Sequence, residues 1–256
     1  MAQEQKWPDR LWLVRHGQSA GNVARDAAEA ASLALIDTKD RDMDVPLSPL
    51  GQKQAESLGH WFGAQSPEEQ PSVVLCSPYA RARETARIVL AASGIDADSV
   101  SLIADERLRE KEFGSFDRLT KIGIAQKYPE LAEQRAHVGK FYFRPPGGES
   151  WCDVILRLRS TLDMITREHR RERVLIIAHQ VIVNCYRYLL ERLDEQTILE
   201  IDRKADVPNC SVTAYVFDRS AGRHGKLVQQ LVNFTAPLAA EGTPVTAEKD
   251  QPTKPR

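Results

Sequence analysis

Residues 11–22, LWLVRHGQSAGN, set the reading of the whole chain. An apolar run of strand type over residues 11–14 stops abruptly at Arg15, His16 and Gly17, so two reactive side chains stand where a buried strand surfaces. In open α/β sheets that is where ligands bind. Gly17, lacking a Cβ, lets the chain turn sharply and lets an oxyanion approach the backbone. Arginine offers a planar fork of donors suited to phosphate, and a neutral histidine nitrogen can attack phosphorus. Together they point to phosphoryl chemistry on histidine. A three-residue match also arises by accident, so the other segments carry the decision.

The chain has 256 residues, enough for one generous α/β domain, and nothing in that length demands two. Lys and Arg total 35 against 36 Asp and Glu, a formal net charge of -1. That balance gives no global basic field for nucleic acid or an anionic membrane, so any anion site is local. Cys76, Cys152, Cys185 and Cys210 are far apart and form no C-x-x-C pair, which argues against a zinc knuckle and a disulfide scaffold and for buried, reduced thiols. The stretch MAQEQKWPDR has no apolar core of the signal-peptide kind. The longest apolar run, 174–183, is interrupted by His179 and Gln180 and is too short to span a bilayer. A soluble cytoplasmic protein is the expectation.

Outward from the first strand, an alanine-rich stretch runs to about residue 36 and leads into DTKDRDMD, a charged segment that reads as solvated loop bordering the site. Ser48 with Pro49 starts a helix whose Ala55, Leu58, Trp61 and Phe62 recur at helical spacing as core. SVVLC, 72–76, is a second buried strand, and Ser77-Pro78 leads into the helix YARARETARIVLAAS. Arg81, in its first turn, is placed for an anion, whereas Arg83 and Arg87 read as solvated or paired with Glu84. Residues 99–103 read as a third strand, followed by ERLREKEFGSFDRLT, in which one of Glu106, Glu110 and Glu112 could serve as an acid. A polar, helix-prone stretch, 120–138, broken by Pro129, makes an excursion over the sheet, a lid or substrate wall. Lys111, Arg118, Lys140, Tyr142 and Arg144 are its candidate selectivity residues. A long amphipathic helix, 149–170, buries Val154, Leu158, Leu162 and Ile165 and keeps its Arg and Glu residues on a wet face.

RVLIIA, 173–178, has the near-continuous apolar character of a central parallel strand. It ends at His179 and Gln180 and passes directly into a helix, repeating the topology around His16. Strands at 211–217 and 227–234 follow. The stretch from Thr235 lacks apolar periodicity, is rich in Pro, Lys and Glu, and reads as a disordered tail over 235–256. The expected organisation is one domain over 1–234, with insertions at about 23–46 and 107–150 bordering the site.

LVRHGQSAGN, LSPLGQKQAE, CSPYARARETA, LREKEFG and VLIIAHQ, with PGGES between the last two, stand in an order that resembles the histidine phosphatase superfamily, also called phosphoglycerate mutase-like proteins. The resemblance covers residues 11 to about 217. It implies an α/β fold of three αβα layers around a central, mostly parallel sheet, with a helical excursion over the active site. It also implies that His16 takes the phosphoryl group, that Arg15, Arg81 and His179 complete the phosphate pocket, that Asn22 contacts phosphate, and that Glu110 protonates the leaving group. Gln180, placed by the resemblance among the phosphate-binding residues, stands where glycine is frequent, a feature reminiscent of the fructose-2,6-bisphosphatases. Phosphoryl transfer concentrates charge on the equatorial oxygens, which two arginines and one protonated histidine can stabilise, so neither metal nor other cofactor is expected. An adjacent dianion and partial burial would favour protonated Glu110. His60, His137, His169 and His224 match no motif and read as surface or capping residues.

Departures from the family pattern, Gln18 for a glutamate common in the mutases and Gly21 for a tryptophan, shift the balance toward a phosphatase. The implied activity is a metal-independent phosphomonoesterase of the histidine acid type acting on a small phosphorylated metabolite, with neither nucleic acid nor membrane as partner. The alternatives are a cofactor-dependent phosphoglycerate mutase and a non-catalytic binding module of the same fold.

Overall fold

The computed structural model describes residues 5–247. Its core is a six-stranded sheet: β1 (Arg10–Arg15), β2 (Val73–Cys76), β3 (Ser101–Ala104), β4 (Arg173–Ala178), β5 (Val212–Asp218) and β6 (Lys226–Phe234), in the order β3-β2-β4-β1-β5-β6. The pairs β2–β3, β2–β4 and β1–β4 are parallel; β5 runs antiparallel to β1, and β6 to β5. The helices are α1 (Ala20–Ala30), α2 (Pro49–Gly63), α3 (Ala80–Ser93), α4 (Lys121–Lys127), α5 (Pro129–Val138), α6 (Trp151–Glu168), α7 (Gln180–Glu191), α8 (Glu195–Lys204) and α9 (Ala236–Ala240). This is the α/β architecture with a mostly parallel sheet that the sequence predicts.

Alternation along the strands builds the layers. Leu11, Leu13, Val174 and Ile176 pack on one face with residues of α6, α7 and α8, while Trp12, Val14, Leu175 and Ile177 pack on the other with residues of α2, α3 and α9. Register then places the site. Arg15 pairs with Ala178 and Cys76 with Ile177, and the ladder continues through His16 N–H to Ala178 O (2.9 Å) and Ser77 N–H to Ile177 O (3.0 Å). The ends of three adjacent strands therefore open at one edge, carrying His16, Ser77 and His179.

Gly17 is required for a reason other than the anticipated anion approach. A Cβ there would lie 2.4 Å from the carbonyl oxygen of Gly51, and one on Gly51 would lie 2.0 Å from that of Gln18, so the turn after β1 and the start of α2 share a contact only glycines allow. The stretch from Thr235, expected to be a disordered tail, is ordered as far as it is described. Leu238 on α9 is fully buried, Gln54 donates to Pro244 O and Thr246 Oγ1, and Asn209 N–H donates to Thr246 O. A short apolar anchor can hold such a segment without a periodic pattern. Residues 248–256 of that expectation lie outside the described residues. No element is assigned by sequence to α8, an amphipathic helix capped by Asp194. Among the described residues no helix is long and apolar enough to cross a membrane.

Candidate active site

His16 sits at the end of β1, 3 % exposed, and both ring nitrogens are engaged. Nδ1 lies 2.7 Å from the carbonyl oxygen of Gly17, which can only accept, so Nδ1 carries the proton. Nε2 accepts from Arg81 Nε at 3.2 Å, so its single lone pair is held by that guanidinium and must be released to an incoming group. Burial first, then the positive charges of Arg81 and Arg15, holds His16 well below the usual histidine range, keeping the ring neutral. A neutral Nε2 is what a nucleophile at phosphorus requires. Asn209 donates from Nδ2 to His16 O at 2.9 Å, and Thr85 Oγ1 accepts from Gly17 N–H at 3.1 Å.

His179 begins α7 and is completely buried, its ring centroid 5.0 Å from that of His16. Its Nε2 lies 2.8 Å from Ser77 Oγ, and its Nδ1 stands 3.8 Å from Glu110 Oε2. Burial, followed by Arg81, His16 and Arg15, pushes its pKa far down. Two guanidiniums and a dry interior thus disfavour the charged ring that the sequence reading anticipated beside a phosphoryl group.

Arg15, also buried, donates through Nη1 to Val207 O (2.6 Å) and to Gln180 Oε1 (3.2 Å). Gln180 in turn donates to Asp206, so it braces Arg15 and lines a neighbouring chamber instead of the cavity beside His16. Asn22 lines the His16 cavity, and its Oδ1 closes a capping box with Ser19 at the start of α1. Glu110 faces the same cavity, its Oε1 accepting from Lys111 N–H at 2.8 Å. Arg15, His16, Asn22, Arg81 and Glu110 therefore surround a cavity of about 90 Å³, with His179 buried against it.

Asp42 is the residue sequence reasoning missed most clearly. DTKDRDMD does not simply face water: Arg81 Nη1 donates to Asp42 O at 2.5 Å and lies 3.0 Å from Asp42 Oδ1. Nothing in a charged run tells which of its carboxylates folds back. The wet face expected for α6 also has an exception. Arg157 and Glu149 are both largely buried; Arg157 Nε meets Glu149 Oε1 at 3.0 Å, and Arg109 Nη2 meets the same oxygen at 2.8 Å. Arg157 also donates to the carbonyls of Arg107 and Glu110, so this network fixes the turn that carries Glu110. Burial alone would raise the Glu149 pKa, yet Arg157, the Glu112 amide and Arg109 outweigh it and hold the carboxyl low.

Glu110 and Phe113 also border a second chamber of about 180 Å³, walled by Phe116, Phe143 and Trp151. Lys111, Arg118 and Lys140, proposed from sequence as selectivity residues, line it; Tyr142 and Arg144 do not. Tyr142 is 56 % exposed, and Arg144 pairs with Asp153 at the start of α6. Burial lowers the Lys111 ammonium to about 8, and it stands 4.8 Å over the Phe113 ring. Lys140 meets Asp202 at 2.5 Å. Arg83 and Arg87 are exposed, and Glu84 is engaged by Leu47 N–H and Gln52.

Residues 11–229 match the model of the histidine phosphatase superfamily, branch 1. A 6-phosphofructo-2-kinase/fructose-2,6-bisphosphatase of Caenorhabditis elegans is 30 % identical over 88 % of this chain, which spans only 45 % of that relative's length. A 2,3-bisphosphoglycerate-dependent phosphoglycerate mutase 2 of Gloeobacter violaceus is 30 % identical over 80 % of this chain and 84 % of its own. Among solved structures, a mycobacterial glucosyl-3-phosphoglycerate phosphatase bound to VO3 shares the fold with a TM-score of 0.66. It is 23 % identical over 88 % of this chain and 99 % of the other.

Proposed function

Because the chain belongs to branch 1 of the histidine phosphatase superfamily, we propose that it is a phosphomonoesterase that passes the phosphoryl group of a small metabolite to His16 Nε2 and then to water. The observation that carries this reading is the His16 ring, neutral, with Nδ1–H donated to Gly17 O and its Nε2 lone pair beside the Arg81 guanidinium. As Nε2 bonds to phosphorus, the P–O bond to the leaving group breaks, and Glu110 supplies that oxygen with a proton. Positive charge arising on the ring is stabilised by Gly17 O. Arg15 and Arg81 meet the charge on the equatorial oxygens. In the second step carboxylate Glu110 takes a proton from water, the water oxygen bonds to phosphorus, and the P–N bond breaks. The non-reacting part of the substrate occupies the chamber beyond Glu110, whose lining mixes aromatic rings with charges of both signs and favours a compact, polar, phosphorylated molecule.

His16→Ala tests the proposal. It should abolish hydrolysis of an aryl phosphate and the capture of labelled phosphate on protein, and turnover that persists would end the reading. A mutase remains the second reading because the Gloeobacter relative carries that name and because His16 is nearly dry. Isomerisation of 3-phosphoglycerate outrunning phosphate release would favour it.

A further inference from the structure

Ser77 plays no part in the chemistry above, yet it is fully buried at the end of β2 with its hydroxyl against His179. Its Oγ accepts the backbone N–H of Tyr79 at 3.3 Å and lies 2.8 Å from His179 Nε2. A serine has one hydrogen to give, and among the described residues His179 Nε2 is the acceptor within its reach. An imidazole nitrogen that accepts leaves the ring's proton on the other nitrogen. We infer that Ser77 is a positioning residue that fixes His179 as the neutral Nδ1–H tautomer, so that the ring offers a donor to the transferring phosphoryl group without carrying charge.

Three observations converge on this. The opposite tautomer would leave the buried serine hydrogen without an acceptor. It would also turn a nitrogen lone pair toward Glu110 Oε2, 3.8 Å away, and toward incoming phosphoryl oxygens. Finally, Nδ1 is buried and has no hydrogen-bond partner among the described residues, as expected of a donor reserved for an acceptor brought by the ligand. The charged and titratable groups around the ring are Arg15 at the end of β1 and His16 after it, Tyr79 and Arg81 after β2, Glu110, and Arg157 from α6. With three guanidiniums so near, donor capacity is better supplied by a tautomer than by an imidazolium.

The inference rests on the reading of this cavity as a phosphoryl-transfer site, and its test separates the two. Nitrogen-15 NMR of the whole protein, with the His179 signals identified by their loss in His179→Gln, should show Nδ1–H in the wild type and its loss of dominance in Ser77→Ala. Ser77→Ala should lower kcat/KM for an aryl phosphate roughly hundredfold near neutral pH, the typical effect of removing one preorganised donor. The deficit should appear in kcat more than in KM, because the donor acts on the transferring group. Ser77→Thr, which keeps the hydroxyl, should restore both properties. A wild-type His179 protonated on Nε2, or an activity deficit in Ser77→Ala with the tautomer unchanged, overturns the inference. Should Ser77→Ala fail to fold, the wild-type spectrum alone decides. An Nδ1–H signal in a protein without phosphatase activity would uphold the tautomer and remove the proposed function.

Discussion

The Arg81 guanidinium is divided between His16 and Asp42, so an arriving phosphoryl group competes with a carboxylate of the chain itself. Asp42 is 44 % exposed at its side chain, which moderates the contact but does not remove its charge from the cavity it lines. Asp42→Asn should strengthen competitive inhibition by inorganic phosphate about tenfold, equivalent to ~1.4 kcal/mol. Unchanged or weaker inhibition would mean that the two anions do not compete. The buried histidines give a second expectation. Burial and nearby arginines lower both His16 and His179, so below about pH 6.5 the unfolded chain binds protons that the folded one refuses. Stability is then complete above that pH and is lost as pH falls through it, with a slope approaching ~2.7 kcal/mol per pH unit for the pair. Urea midpoints between pH 7.5 and 5.5 measure it, and His179→Gln should roughly halve the slope. Arg15, His16, Arg81 and His179 were legible in the sequence because each closes or follows a strong local pattern, whereas Glu110 stood out from Glu106 and Glu112 only through the family resemblance. The state of His179 was not legible, because it depends on neighbours from other strands.

At the scale of elements, the turn carrying Glu110 has no regular structure to hold it. Its order comes from Arg157 on α6, which donates to the carbonyls of Arg107 and Glu110 while meeting Glu149. Removing one partner of such a largely buried pair leaves the other charge unmatched. Glu149→Gln should therefore lower unfolding free energy by about 3 kcal/mol and reduce kcat more than it raises KM. Chemical denaturation and steady-state kinetics check the two parts, and a variant with wild-type kcat would show that Glu110 is held by other means. The strand–helix junctions at His16, Ser77 and His179 read directly from sequence, since a buried parallel strand is an apolar run and its end is a change of composition. The sequence puts Arg157 on a wet face, because helical periodicity reports which side an arginine lies on and not whether a loop from another part of the chain covers it.

For the molecule as a whole, the segment after β6 is part of the working structure. Leu238 fills the core beside α2, and Thr246 joins Asn209, whose amide donates to the His16 carbonyl. A chain ended after Phe234 should lose roughly 1.5–3 kcal/mol through Leu238 alone. It should also show a lower kcat through the released Asn209, readable from thermal melting and aryl phosphate turnover, and a truncated chain with unaltered melting would show that this anchor is not needed. By itself the sequence determined the class of fold and the residue types at the strand ends, because apolar runs, glycines and helix starts are local signals that survive without a third dimension. Only the tertiary structure decided that Asp42 covers Arg81, that Glu149 and Arg157 brace the turn of Glu110, that Gln180 braces Arg15, and that residues 235–247 fold back onto Gln54 and Asn209. Those contacts are set by strand register and by side chains meeting across long stretches of chain, and no periodicity in a sequence encodes such distances.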